Sequence, residues 1–124
     1  MNAKEIQGKM EELHYWDAEA IKLECNYFAD EITLVYDDSS IKEKSEVIYH
    51  FLSCYKSSFN HWVAFAKDKP VRELSTRQIS YSLKDIEVDE VEIEGEKFLH
   101  FKILMVPMEL EIWCKNIEIQ RNLK

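Results

Sequence analysis

SLKDIEVDEVEIEGEKFLHFKILM, residues 82–105, decides the fold. It reads as a strand, a turn at Glu94-Gly95-Glu96-Lys97, and a second strand, because apolar and polar residues alternate on both sides of the glycine. Ile86 and Val88 share one parity, and Val91 and Ile93 the other. A β-bulge at Asp89-Glu90 accounts for that slip, since one extra residue flips the alternation. From Asp85 to Glu96 the run holds Asp85, Glu87, Asp89, Glu90, Glu92, Glu94 and Glu96, with no Lys or Arg among them. Cross-strand His100 and Lys102 relieve only part of the mutual repulsion. A one-sided sheet also carries polar outward residues, and a Glu row discourages edge-to-edge aggregation. The uniform sign is what points further, to a basic partner.

Working outward, the next strands follow at Phe98 to Val106 and Leu110 to Ile119, separated at Pro107. Leu110, Ile112 and Cys114 form the inward side of the last one. Trp113 then faces outward with Glu109, Glu111 and Lys115, either covered by the N-terminal helix or left as an anchor for a partner. Upstream, Ile21, Leu23 and Cys25 alternate with polar residues, and Ile32, Leu34 and Tyr36 follow after Phe28-Ala29-Asp30, which predicts an antiparallel hairpin. Asp37-Asp38-Ser39-Ser40 reads as a loop. Residues 45–65 fit both a helical stripe and a strand. Their Val, Ile, Tyr, Phe and Ser content favours two strands with a break near Lys56 to Ser58. Lys67-Asp68-Lys69-Pro70 opens an irregular connection to Gln78, with one helical turn at Val71 to Leu74, and strands resume near Ile79.

Asn2 to Leu13 predicts a short helix. Asn2 serves as N-cap with Glu5 three residues on, and Ile6, Met10 and Leu13 make one apolar face. The expected architecture is α+β: this helix packed on a mainly antiparallel sheet of about seven strands, as a sandwich or partly open barrel, in one domain over residues 1–124.

Composition narrows the function classes. The chain has 124 residues, 46% hydrophobic and 32% charged, and a net charge of −8. No apolar run approaches the roughly 20 residues of a membrane span. The charged N-terminal stretch is unlike a secretory signal, so a cytoplasmic location is expected. The acidic balance disfavours direct binding to nucleic acid or anionic lipid and favours a cationic protein. Cys25, Cys54 and Cys114 are too few and too widely spaced for a disulfide framework and read as free, buried thiols.

Catalytic signatures are missing. His50 and Cys54 would share a strand face, with His61 nearby, but the spacing matches no compact zinc ligand set. Clustered glycines for a phosphate-binding loop are absent. No cofactor, metal or catalytic residue is assigned.

Tyr15-Trp16-Asp17-Ala18 running into Ile21-Lys22-Leu23, then Ile32-Thr33-Leu34 and an acidic loop, form a pattern. It continues with Val47-x-Tyr49-x-Phe51-x-x-Cys54-Tyr55, Leu110-Glu111-Ile112 and Ile117-Glu118-Ile119. Together these segments resemble small β-rich bacterial immunity proteins encoded beside polymorphic toxins. In those proteins an Asp-Ala pair precedes the first strand, often after His; Trp16 stands at that His position here. The resemblance implies a non-catalytic protein that neutralises a cognate toxin, in many cases a nuclease with a basic surface. Asp17 carries over as a structural position, accepting backbone N–H groups where the chain enters the sheet. The residues expected to meet the toxin are Glu87, Asp89, Glu90, Glu92 and Glu94, with Trp113 as apolar anchor. The competing readings are a self-associating structural domain, which would be a homo-oligomer, and a small hydrolase using histidines or a carboxylate pair.

Overall fold

The computed structural model describes residues 2–38, 45–62, 70–74 and 80–123. Among these residues one α-helix, α1 (Ala3–Glu12), precedes six strands: β1 (Glu19–Asn26), β2 (Glu31–Asp37), β3 (Ser45–His61), β4 (Tyr81–Ile93), β5 (Glu96–Val106) and β6 (Met108–Leu123). All pairings are antiparallel, in the order β1-β2-β3-β6-β5-β4. The sheet closes in a ring where β4 returns to β1 at Glu19–Ser82 and Ala20–Tyr81.

The expected seven strands are six because residues 45–61 form one strand. No break occurs at Lys56 to Ser58. Instead the chain bulges between Cys54 and Lys56, with Ser53 in the left-handed region at φ 54°, and pairing with β6 resumes beyond it. Residues 63–65 of that expected segment lie outside the described residues. So do Ser39 and Ser40 of the predicted loop and most of the connection over 67–79. The helical turn expected at Val71 to Leu74 is a 3-10 turn at Val71–Glu73.

The bulge expected at Asp89-Glu90 is displaced. The β4–β5 register runs unbroken from Asp85 to Ile93, and the irregularity lies between Leu83 and Asp85. The parity change nevertheless has a cause. Val91 stands opposite Phe98, whose ring lies 5.1 Å from that of Tyr55. An apolar cluster on the outside of the ring therefore takes Val91, while Ile86 and Val88 take the inside. A further irregularity, between Ala20 and Lys22, turns Ile21 outward, away from the side expected for it with Leu23 and Cys25.

The core fills the ring. Ile32, Leu34 and Tyr36 of β2 stand opposite Phe51, Tyr49 and Val47 of β3, and all six are fully buried. Phe101 packs edge-on against Phe51 at 4.9 Å. The hydroxyls of Tyr36 and Tyr49 bond each other at 2.8 Å, so neither is orphaned. Burial pushes the Tyr36 phenol up to about 12 and raises Tyr49 further. The wall between β2, β3 and β6 is pinned by the buried Asp38 carboxylate, which accepts from Arg121 Nε at 2.6 Å and Ser45 Oγ at 3.1 Å.

The thiols are graded rather than uniformly buried. Cys25 is exposed, Cys54 is half-buried and Cys114 is buried. Cys54 and Cys114 are register partners with their thiols in contact; this contact lowers the Cys54 pKa and, with burial, raises that of Cys114.

Helix α1 forms as the residues dictate. The Asn2 side chain accepts from Glu5 N at 2.8 Å, and Ile6 and Met10 are buried. Its position is set by β4. Beyond Leu83 that strand has no neighbouring strand on its outer edge among the described residues, and the N-terminal segment supplies substitutes. Asp17 N donates to Leu83 O at 2.7 Å, and Leu83 N to Ala18 O at 2.9 Å. Ile86 N donates to the Tyr15 hydroxyl at 3.2 Å. Gln7 spans the next step, its amide donating to Ile86 O at 2.7 Å and accepting from Val88 N at 2.8 Å.

Candidate functional site

The β4–β5–β6 meander generates one outer face. In its first row Asp85 stands opposite Leu104, which stands opposite Glu109. In the second, Glu87, Lys102 and Glu111 align; in the third, Asp89, His100 and Trp113. Neighbouring strands lie about 4.8 Å apart, so these carboxylates form a compact field. Asp85, Glu87, Lys102, Leu104, Glu109 and Glu111 line a depression of about 170 Å³.

Little neutralises this field. Among the described residues Asp85, Glu87, Asp89 and Glu109 make no ion pair within 4 Å, and neither does Lys102. The one bridge on the face joins His100 Nε2 to Glu111 Oε2 at 3.2 Å, and it carries charge only when the imidazole is protonated. Five carboxylates thus surround one ammonium.

Trp113 is outward and half-buried. Its indole stacks on His100, with ring centroids 4.3 Å apart and planes within 9°, and the Lys56 ammonium sits 4.9 Å from its centre. These two side chains cover it in place of the N-terminal helix, whose main packing partner is β4. Its exposed edge continues the acidic face.

The acidic residues expected to act together are divided by the strand's pleat. Glu87 and Asp89 belong to the outer face. Glu90 and Glu92 have the parity of Ile86 and Val88, on the helix side, where Glu90 Oε1 accepts from Ala3 N at 3.0 Å. Glu94 sits in the β4–β5 turn, where Glu94 and Gly95 both have positive φ, 51° and 83°. Asp85, Glu109 and Glu111 join the face although they are not among the residues expected to meet the toxin. The outward parity of Glu109 and Glu111 is legible beside Trp113; what was missing was the strand order that sets them against Glu87.

Asp17 and Trp16 sit at the entrance to β1. Asp17 adopts φ 64°, a left-handed conformation Asp tolerates, and its carboxylate meets Lys84 Nζ at 2.5 Å. Among the described residues no backbone N–H donates to that carboxylate, so its anchoring differs from the expected one. Trp16 stacks on the buried Tyr15 at 4.4 Å with its outer side exposed.

The histidines do not converge. His50 is beside Thr33 Oγ1 at 3.2 Å on the outer side of β2 and β3, whereas Cys54 packs against the core, so the two are not on one face. His61 bonds the Tyr81 hydroxyl at 2.9 Å, and His100 lies under Trp113. Among the described residues no group of three His, Cys, Asp or Glu side chains has metal-binding geometry.

The family model Immunity protein PIM7 matches residues 2–121, nearly the whole chain. No curated protein matches it.

Proposed function

Since this chain belongs to the immunity protein PIM7 family, we propose that it neutralises its cognate toxin by occlusion, using the acidic outer face of β4, β5 and β6. The observation that carries this reading is the alignment of Asp85, Glu87, Asp89, Glu109 and Glu111 around Lys102, with the Lys56 ammonium at the edge of the field over Trp113. Such a field steers a cationic partner into encounter and repels like-charged surfaces. Rows of carboxylates at strand spacing also resemble a phosphate backbone in sign and density, which suits a toxin whose own surface binds nucleic acid. The partner would be a basic, nuclease-type domain met in the cytoplasm. Trp113, rigidly stacked and half-exposed at the edge of the field, supplies an apolar contact. The histidines are engaged at separate places, which favours binding over catalysis as the mode of action.

The test is a double charge reversal, Glu87→Lys with Glu111→Lys, assayed against the toxin encoded beside the gene. The association rate should fall about tenfold or more at low salt, and its salt dependence should flatten. Unchanged association kinetics would remove the acidic face from the mechanism.

A further inference from the structure

The seam of the ring leaves part of a strand edge open. Antiparallel pairing makes residues alternate between those that bond the neighbouring strand and those that direct N–H and C=O the other way. On β4, Ile86 and Val88 direct theirs away from β5, since Tyr15 and Gln7 engage them. The register continues without a slip, so Glu90 and Glu92 also direct theirs outward. Helix α1 begins at Ala3, beside Glu90, and reaches no farther along the strand. Among the described residues the outward N–H and C=O groups of Glu90 and Glu92 have no partner. Beside Glu90, between α1 and β4, lies an open depression of about 660 Å³.

We infer that this terminal stretch of β4 accepts an extended cationic segment of the toxin as an added strand. The inference rests on the proposed basic partner and assigns that partner a second contact. Main-chain bonds to Glu90 and Glu92 give the segment its register. Its side chains fall about 5 Å from those of β4. Lys or Arg residues in the segment therefore meet Glu90 and Glu92 on one face and Asp89 on the other. The cations facing this edge are Lys4, which lines the depression, and Lys97, the cross-strand neighbour of Glu92; neither forms an ion pair within 4 Å among the described residues. The same carboxylates repel the edge of a second copy, so the edge selects a basic strand over itself.

The experiment is amide hydrogen exchange on the full chain, with a synthetic peptide of alternating lysine and valine as probe and its glutamate counterpart as control. The lysine peptide should slow exchange of the Glu90 and Glu92 amides about tenfold or more, and the glutamate peptide should not. Glu92→Pro removes an outward N–H without breaking a β4–β5 bond, because that N–H lies on the free edge. It should weaken peptide binding about tenfold, while Glu92→Gln weakens it severalfold in a salt-dependent way. Val88 protection in each variant verifies the fold. No protection of Glu90 and Glu92 at millimolar lysine peptide overturns the inference, as does wild-type binding by Glu92→Pro. Protection that grows with protein concentration alone overturns it in favour of self-pairing. The two contacts fail separately. Loss of toxin binding in the Glu87→Lys, Glu111→Lys variant, with normal toxin binding by Glu92→Pro, preserves the outer face and removes the added strand.

Discussion

Gln7 ties helix α1 to the outer edge of β4, and replacing it isolates that role. Its amide makes two half-buried bonds to the β4 backbone, 2.7 Å to Ile86 O and 2.8 Å from Val88 N. Each such bond contributes about 1 kcal/mol net, with an added penalty where water cannot reach the abandoned group. Alanine is a better helix former than glutamine by a few tenths of a kcal/mol, which offsets little of the loss. Gln7→Ala should therefore destabilise the protein by about 2 kcal/mol in urea unfolding, and the Val88 amide should lose protection before the amides bonded between β4 and β5. Gln7→Glu separates geometry from bulk. Its carboxylate still accepts from Val88 N but turns an oxygen toward Ile86 O with no proton to donate. The protonated form restores that donor, so the folded state raises the pKa of the introduced acid. A raised folded pKa means folding binds a proton, and stability relative to wild type should rise as pH falls from about 6 to 4. A Gln7→Ala cost under about 0.5 kcal/mol, within the range of ordinary surface changes, would refute the claim that this amide stands in for a missing strand.

The buried phenols and the buried carboxylate give the other stability tests. Tyr36→Phe leaves the Tyr49 hydroxyl without its 2.8 Å partner and should cost about 2 kcal/mol, whereas the double Tyr36→Phe, Tyr49→Phe variant should recover much of that in the same urea assay. Both phenols titrate above the usual Tyr value, with Tyr36 near 12, so the unfolded chain loses these protons first; stability should be complete below pH 10 and fall as pH rises through the folded values, more gently in the double variant. Arg121→Ala removes the charged partner of the fully buried Asp38 carboxylate and should cost about 3 kcal/mol, at the low end for a broken buried pair because the arginine is one-third exposed; a loss below about 1 kcal/mol would show that the remaining partners of Asp38, Ser45 among them, suffice.

Local patterns announced the elements well. Asn2 with Glu5 marked the helix start, and the alternation of Ile32, Leu34 and Tyr36 marked a core face. Glu94-Gly95 marked the hairpin. Errors arose where a bulge interrupted a pattern without a composition signal, as at Ser53 and between Ala20 and Lys22. Val91 misled for another reason: its outward apolar side chain serves a cluster with Phe98 and Tyr55, and Tyr55 comes from a strand not adjacent to β4.

The order of residues by itself determined that this protein is built of one capped helix and long antiparallel strands, and that one strand is densely acidic. Both follow from side-chain period, capping and turn chemistry, which act within a few residues. Only the tertiary structure decided which carboxylates stand together. Pairing β5 between β4 and β6 sets Glu87 across from Glu111, while the pleat carries Glu90 and Glu92 to the other side. Closing the ring over a short β1–β4 contact also gave the helix its task and left two acidic residues of β4 without backbone partners among the described residues, because strand order and register are fixed by long-range packing and not by any local run of residues.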